Sequence, residues 1–349
     1  MVSLDSRLEG DALALRPSMI KYDGSTSNDI EICDATYKPL PVFLNRQFIK
    51  ILEDLGVHDS WFMKLQEREV DRLRSITESP INASSFLRRQ SVGESFHLPW
   101  LINKLAMMNI DFRMDGFLRD VLEVALLVEL RELKHRTRIP VLEGWHLHGV
   151  LDETGILEEG QVVVVGNVDG VRKFITGERI MISRAPALHP GDIQLVDAIM
   201  PHPGSPLLNL ANCVCFSQKG ARDLPSQLGG GDLDGDRYYI IWDRELNIQI
   251  INPPADYPKV KPLDIGRIVR RTDMTDFFIQ FMETDQLGRI AIGHMVLADQ
   301  RENGVLDIDC IKLAEMHSTA VDFSKTGIPV RYHLKLITKL YMLIDLRSG

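Results

Sequence analysis

QLGGGDLDGDRYYIIWD, residues 227–243, sets three carboxylates at alternate positions between a glycine run and an apolar stretch. In an extended backbone, residues at i, i+2 and i+4 face the same way, so Asp232, Asp234 and Asp236 can converge on one point. Carboxylates brought that close repel, and a hard divalent cation with oxygen ligands removes the repulsion. Mg²⁺ suits a site with few protein ligands and positions left for water and phosphate. Gly235 allows a sharp bend between the last two carboxylates, while Gly229, Gly230 and Gly231 admit a ligand close to the backbone. Arg237 to Trp242 then read as a strand rich in β-branched and aromatic residues. A calcium loop of the EF-hand type is excluded, because its sixth position needs Gly and holds Arg237, its twelfth needs Glu and holds Asp243, and a strand follows instead of a helix. The competing reading is a solvated acidic turn, which needs neither the triple glycine nor the strict alternation.

The stretch resembles the metal-binding signature of the cell-encoded RNA-dependent RNA polymerases of RNA silencing, a family distantly similar in its core to multisubunit transcription enzymes. Other segments in the same order carry the resemblance: LRPSMIKY at 15–22, LNRQFIKILEDLGV at 44–57, GVLDETGILEEGQVVV at 149–164, ISRAPALHPGDIQLVDAI at 182–199 and HSTAVDFSKTG at 317–327. The resemblance implies an α+β fold in which a six-stranded double-psi β-barrel carries the catalytic loop between helical regions. It implies RNA-templated RNA synthesis by Mg²⁺-dependent nucleotidyl transfer, making double-stranded RNA for silencing. Asp232, Asp234 and Asp236 are then the catalytic metal ligands, and Gly230, Gly231 and Gly235 shape their loop. Lys21, Arg184 and Lys325 meet phosphates or RNA by the same resemblance; on chemistry alone each is also readable as a solvated surface cation. The implied partners are an RNA template, nucleoside triphosphates and RNA-silencing proteins.

Composition bounds the remaining possibilities. The 349 residues are 44% hydrophobic and 26% charged, which is globular and enough for two or three cores. Cys33, Cys213, Cys215 and Cys310 form no CxxC pair and read as reduced, buried residues of an intracellular protein, nuclear or cytoplasmic. The longest apolar run, Val121 to Leu133, is interrupted by Glu123, Glu129, Arg131 and Glu132, well short of the about 20 residues that span a membrane. The N-terminus shows no secretory signal. A net charge of −9 weighs against nucleic-acid binding unless a basic groove coexists with acidic helical surfaces.

Four regions follow along the chain. Residues 1–40 are expected to be the remnant of a first β-barrel, since the family carries a second lysine in a glycine-flanked turn at or before the place where this chain begins; on this reading the sequence is a truncated piece. Residues 41–138 form a helical connector: Asn45 is a candidate N-cap, Phe48, Ile49, Leu52 and Leu55 fall at helical spacing, and Gly56 is a stop. Further helices are expected at 59–77, 97–109 and 116–136, the last with Leu118, Val121, Leu122, Ala125, Leu126, Leu130 and Leu133 on one apolar face. Arg88, Arg89, Lys134, His135, Arg136 and Arg138 are the densest basic clusters, and a solvated face accounts for them. Residues 139–250 hold six short apolar segments, at 146–151, 161–166, 179–183, 192–200, 212–217 and 237–242, the pattern of a small closed barrel. His189 reads as a turn residue beside Pro190 and Gly191. Residues 251–349 return to helices at 274–283, 286–300, 308–323 and 331–346, with His294 a satisfied structural histidine. A rival to the polymerase reading is a non-catalytic remnant that binds RNA or a partner; a calcium-binding or carboxylate hydrolase module is disfavoured, because acid–base hydrolysis uses two separated carboxyls.

Overall fold

Four consecutive valines, Val162 to Val165, serve two cores at once, as successive residues of a strand must. In the computed structural model, which describes residues 35–90, 92–257 and 261–330 with parts of 2–32, Val162 and Val164 point into a closed barrel. Val163 and Val165 join an outer cluster with Leu157, Leu207 and Leu210.

In chain order the elements are β1 (Leu40–Phe43), α1 (Arg46–Asp54), α2 (Asp59–Arg74), α3 (Pro80–Arg89), α4 (Leu98–Met107), α5 (Gly116–Arg136), β2 (Pro140–Leu151), β3 (Gln161–Val168), β4 (Val171–Ile175), β5 (Gly177–Arg184), β6 (Ile193–Ala198), β7 (Cys213–Phe216), α6 (Leu224–Gln227), β8 (Arg237–Ile241), α7 (Arg271–Thr284), α8 (Leu287–Gln300), α9 (Ile308–Val321) and α10 (Phe323–Thr326). Strand β2 pairs with β7, then β3, β6, β5 and β8 follow in turn, and β8 returns to β2. This closes a six-stranded barrel in which β2–β7 and β3–β6 run parallel and the other four pairings antiparallel. Closure leaves no free edge inside the ring. Phe216, Tyr238, Ile182 and Ile240 fill its interior. All six expected strands are present, and the α+β class holds.

Two strands lie outside the ring. β1, on both sides of the boundary expected at residue 40, pairs antiparallel with β2. β4 folds back on β3 through Asp169 and Gly170, both at positive φ (52° and 80°), the backbone of a two-residue hairpin turn.

The barrel's outer wall is covered by α1, α2, α8 and α9 through Val42, Phe48, Leu52, Ile241, Leu297 and Leu313. Helix α1 starts where expected, because the Asn45 side chain accepts a hydrogen bond from the Phe48 amide at 2.9 Å. Helix α5 spans 116–136 as expected, but its apolar face is narrower. Leu118 and Leu122 are buried, whereas Leu130 is 40% exposed and Glu129 takes the inward place. From 118 to 129 is three turns of helix, and residue 130 is rotated about 100° further. Glu129 is held by Arg138 at 3.7 Å, whose guanidinium lies over the Phe43 ring at 3.8 Å. Arg88 and Arg89 end α3, which was not expected from sequence. The helix expected at 331–346 lies outside the described residues, as does Cys33, while Cys213, Cys215 and Cys310 are free and buried. Among the described residues no helix is long and apolar enough to cross a membrane.

Candidate active site

The glycine-aspartate loop joins α6 to β8, so it leaves one rim of the barrel at the foot of the strand that closes it. Asp232, Asp234 and Asp236 each place a carboxylate oxygen within 4.8 Å of the others. The convergence comes from a bend over residues 233–235 instead of the extended strand inferred from the alternation. Gly235 makes the bend at φ +147°, a conformation L side chains rarely adopt, although a Cβ there would meet open space. Asp232 and Asp234 are exposed and Asp236 is half-buried. Crowding raises the pKa of Asp234 above the usual carboxylate range, first through a hydrogen bond with the Asp232 side chain, then through burial and the charges of Asp232 and Asp236; Lys325 opposes the shift.

Residues from four places on the barrel wall hold this loop. Arg184, at the end of β5, pairs with both oxygens of Asp236 (Nε to Oδ2 2.7 Å, Nη2 to Oδ1 3.0 Å) and donates from Nη1 to the Gly229 carbonyl at 3.2 Å. Tyr238 of β8 is wholly buried in the barrel, and its hydroxyl donates to the Asp232 carbonyl at 2.8 Å. Gly231 leaves room for both, since a Cβ there would lie 2.7 Å from Arg184 Cδ and 2.8 Å from the Tyr238 hydroxyl. Gly230 beside it is at φ +68°. Asp192, before β6, accepts from the Gly229 amide (3.1 Å), the Tyr257 hydroxyl (2.5 Å), and the Leu188 and His189 amides (3.1 and 3.0 Å). Burial lifts its carboxyl to about 6 against the opposing pull of those four donors. On β2, His148 faces the Gly235 carbonyl and the Gly149 amide donates to the Asp236 carbonyl at 3.1 Å.

The other residues singled out by sequence fall in different places. Lys325 lies in α10 with its side chain 72% exposed, near Asp322 (3.8 Å) and close enough to Asp234 to act on its charge. Lys21 lies outside the described residues. Arg184 faces the aspartates. His189 caps the turn at Pro190–Asp192 by accepting from the Gly191 amide at 3.0 Å. His294 is buried, but it is not satisfied: neither ring nitrogen reaches a hydrogen-bond partner among the described residues, though the Leu188 backbone lies beside it. Asp192, Tyr238, Tyr257 and His148 were missed by sequence reasoning; the HPGD segment was the one local signal for Asp192.

The donor set fits a hard cation. Three carboxylate oxygens within 4.8 Å of one another compare with the about 4.2 Å that separates opposite oxygens around a Mg²⁺ ion, and the exposure of two of them leaves positions open.

A model of the family described as RNA dependent RNA polymerase matches residues 1–343. RNA-dependent RNA polymerase 1 of Arabidopsis thaliana is 35% identical over 332 residues, which cover 94% of this chain and 29% of the relative. RNA-dependent RNA polymerase 1 of Schizosaccharomyces pombe is 30% identical over 330 residues, 85% of this chain and 26% of the relative. This chain therefore spans less than a third of the length of either. The solved RNA dependent RNA polymerase QDE-1 from Thielavia terrestris shares the fold, with a TM-score of 0.62 at 22% identity over 87% of this chain and 37% of that one. The barrel, its carboxylate loop and a family match along nearly the whole sequence agree: the chain belongs to the RNA dependent RNA polymerase family.

Proposed function

We propose that this chain carries the carboxylate side of a nucleotidyl-transfer site for RNA-templated RNA synthesis, with Asp232, Asp234 and Asp236 as ligands for Mg²⁺. The observation that carries the reading is the convergence of these three carboxylates on one barrel rim in a chain of this family. The bound ion would neutralise phosphate charge and activate a 3′-hydroxyl for attack on the α-phosphate. The protein's own part is positioning. Arg184 grips both oxygens of Asp236 and fixes that carboxylate's direction. Lys325 presents an exposed ammonium near Asp322 whose charge reaches Asp234, and it would meet triphosphate charge; Lys21 is assigned the same task from its motif. The double-stranded product would serve RNA silencing, and template choice would rest on base pairing. The intact, clustered triad weighs against a non-catalytic remnant.

The test is primer extension with labelled nucleotide, on this chain and on the chain extended upstream, each with and without Asp236→Asn. The substitution keeps volume and removes a charged ligand, so incorporation by the longer chain is expected to vanish. Undiminished incorporation by the variant would overturn the metal assignment.

A further inference from the structure

The loop's hydrogen bonds include one whose direction can be deduced. Arg237 donates from Nε to His148 Nε2 at 3.0 Å, and His148 Nδ1 lies 3.0 Å from the Gly235 carbonyl oxygen. Arginine has no acceptor, so Nε2 is the accepting nitrogen. A carbonyl oxygen has no proton, so Nδ1 is the donor. Both bonds together admit one state of the ring, the neutral imidazole with its proton on Nδ1. The register explains the meeting: His148 and Arg237 are directly opposite on the antiparallel pair β2 and β8, so their side chains share a face.

The Gly235 carbonyl belongs to the peptide that leads into Asp236. A Cβ built on Gly235 would meet nothing within 4 Å, its chain neighbours apart, so that side of the bend is open. The next carbonyl, of Asp236, is held by the Gly149 amide. Strand β2 thus grips two successive peptides of the loop, one through a side chain and one through its backbone.

We infer that His148 is a positioning residue of the metal loop: locked by Arg237 in the Nδ1-protonated form, it fixes the Gly235–Asp236 peptide and so the direction of the Asp236 carboxylate. The inference rests on Asp236 being a metal ligand, and it names a residue that neither touches the metal nor meets substrate.

Two substitutions separate this role from general stability. In His148→Asn the amide nitrogen falls near the place of Nδ1 and can still donate to Gly235; in His148→Gln the amide falls near Nε2 and can serve Arg237 alone. Binding of Mn²⁺, used as a paramagnetic probe on the 349-residue chain, is expected to weaken about tenfold or more in His148→Gln and to stay close to wild type in His148→Asn. In the upstream-extended chain the Gln variant is expected to lower kcat for RNA extension with KM for nucleotide little changed. Equal losses in both variants, or no loss in either, would overturn the inference. Asp236→Asn is the control for the underlying reading: if it leaves Mn²⁺ binding intact, the metal assignment fails, whereas if it alone abolishes binding, the failure belongs to His148. Nitrogen NMR of the wild-type imidazole decides the matter even where variants do not fold, because a proton found on Nε2 contradicts the deduced tautomer.

Discussion

Replacing Gly149 by alanine tests whether the barrel interior sets the position of the carboxylate loop. A Cβ on Gly149 would lie 2.6 Å from Tyr238 Cε2, 2.8 Å from Leu233 Cδ2 and 2.8 Å from Phe216 Cε2. Ordinary carbon contacts are about 3.5–4.0 Å, so these groups must retreat by roughly 1 Å. Two of them have nowhere to go, since Tyr238 and Phe216 are fully buried and packed edge-to-face with centroids 4.8 Å apart. Overpacking of this kind costs about 1–3 kcal/mol. Leu233 sits between two of the aspartates, and moving the Tyr238 ring also endangers its hydroxyl bond to the Asp232 carbonyl, about another 1 kcal/mol. The expected loss is therefore about 2–4 kcal/mol by urea unfolding, followed through the fluorescence of the paired Trp145 and Trp242, and it is accompanied by weaker Mn²⁺ binding. Combining Gly149→Ala with Leu233→Ala is expected to be less than additive by about 0.5 kcal/mol or more, as for residues in contact. A Gly149→Ala chain with unchanged unfolding midpoint and unchanged Mn²⁺ affinity would refute the coupling of core to loop.

Gly235→Ala meets no steric obstacle at φ +147°, so its expected cost of about 1–3 kcal/mol is backbone strain alone; relief of that strain by local rearrangement would appear as reduced Mn²⁺ affinity with little change in stability. Asn45→Ala removes the α1 cap and is expected to lower stability by about 1 kcal/mol while Mn²⁺ binding stays as it was. Burial, aided by His317 and His189 and opposed by Asp54, depresses the His294 pKa from 6.5 to about 4. The unfolded chain therefore takes up a proton that the folded chain refuses, and stability falls as pH drops from about 6.5 towards 4, by about 3 kcal/mol in all, with His294→Gln flattening that part of the profile in urea titrations.

The barrel was legible because its strands carry their burial in their composition: a run such as Val162 to Val165, buried on both sides, is recognisable without knowing its partners. β4 escaped notice although Asp169 and Gly170 are a recognisable hairpin pair, because its exposed Val171, Arg172 and Lys173 resemble a loop. α3 escaped notice despite a Ser79 cap and Pro80 at its first turn, signals that were present and unused. The exposure of Leu130 followed from which side of α5 met its neighbours, and periodicity alone does not contain that. At the candidate site the three aspartates were readable from spacing within five residues. The side chains that hold them were not: His148 meets Arg237 across 89 positions, and Asp192 reaches Gly229 across 37, pairings that exist only through the strand order.

That strand order also fixes when the site can come into being. β8 bonds to β2 on one side and β5 on the other, so it is the keystone of the ring, and the loop is anchored at its base. During synthesis β2, β3, β5, β6 and β7 are all made before β8, which pairs with strands made some 50 and 90 residues earlier, so the anchors of the carboxylate loop wait for its arrival. A half-made barrel thus lacks the frame of Arg184, His148 and Gly149 that holds the three carboxylates in place. Pulsed hydrogen exchange is expected to find the β8 amides protected in the same kinetic phase that fixes the carboxylate loop.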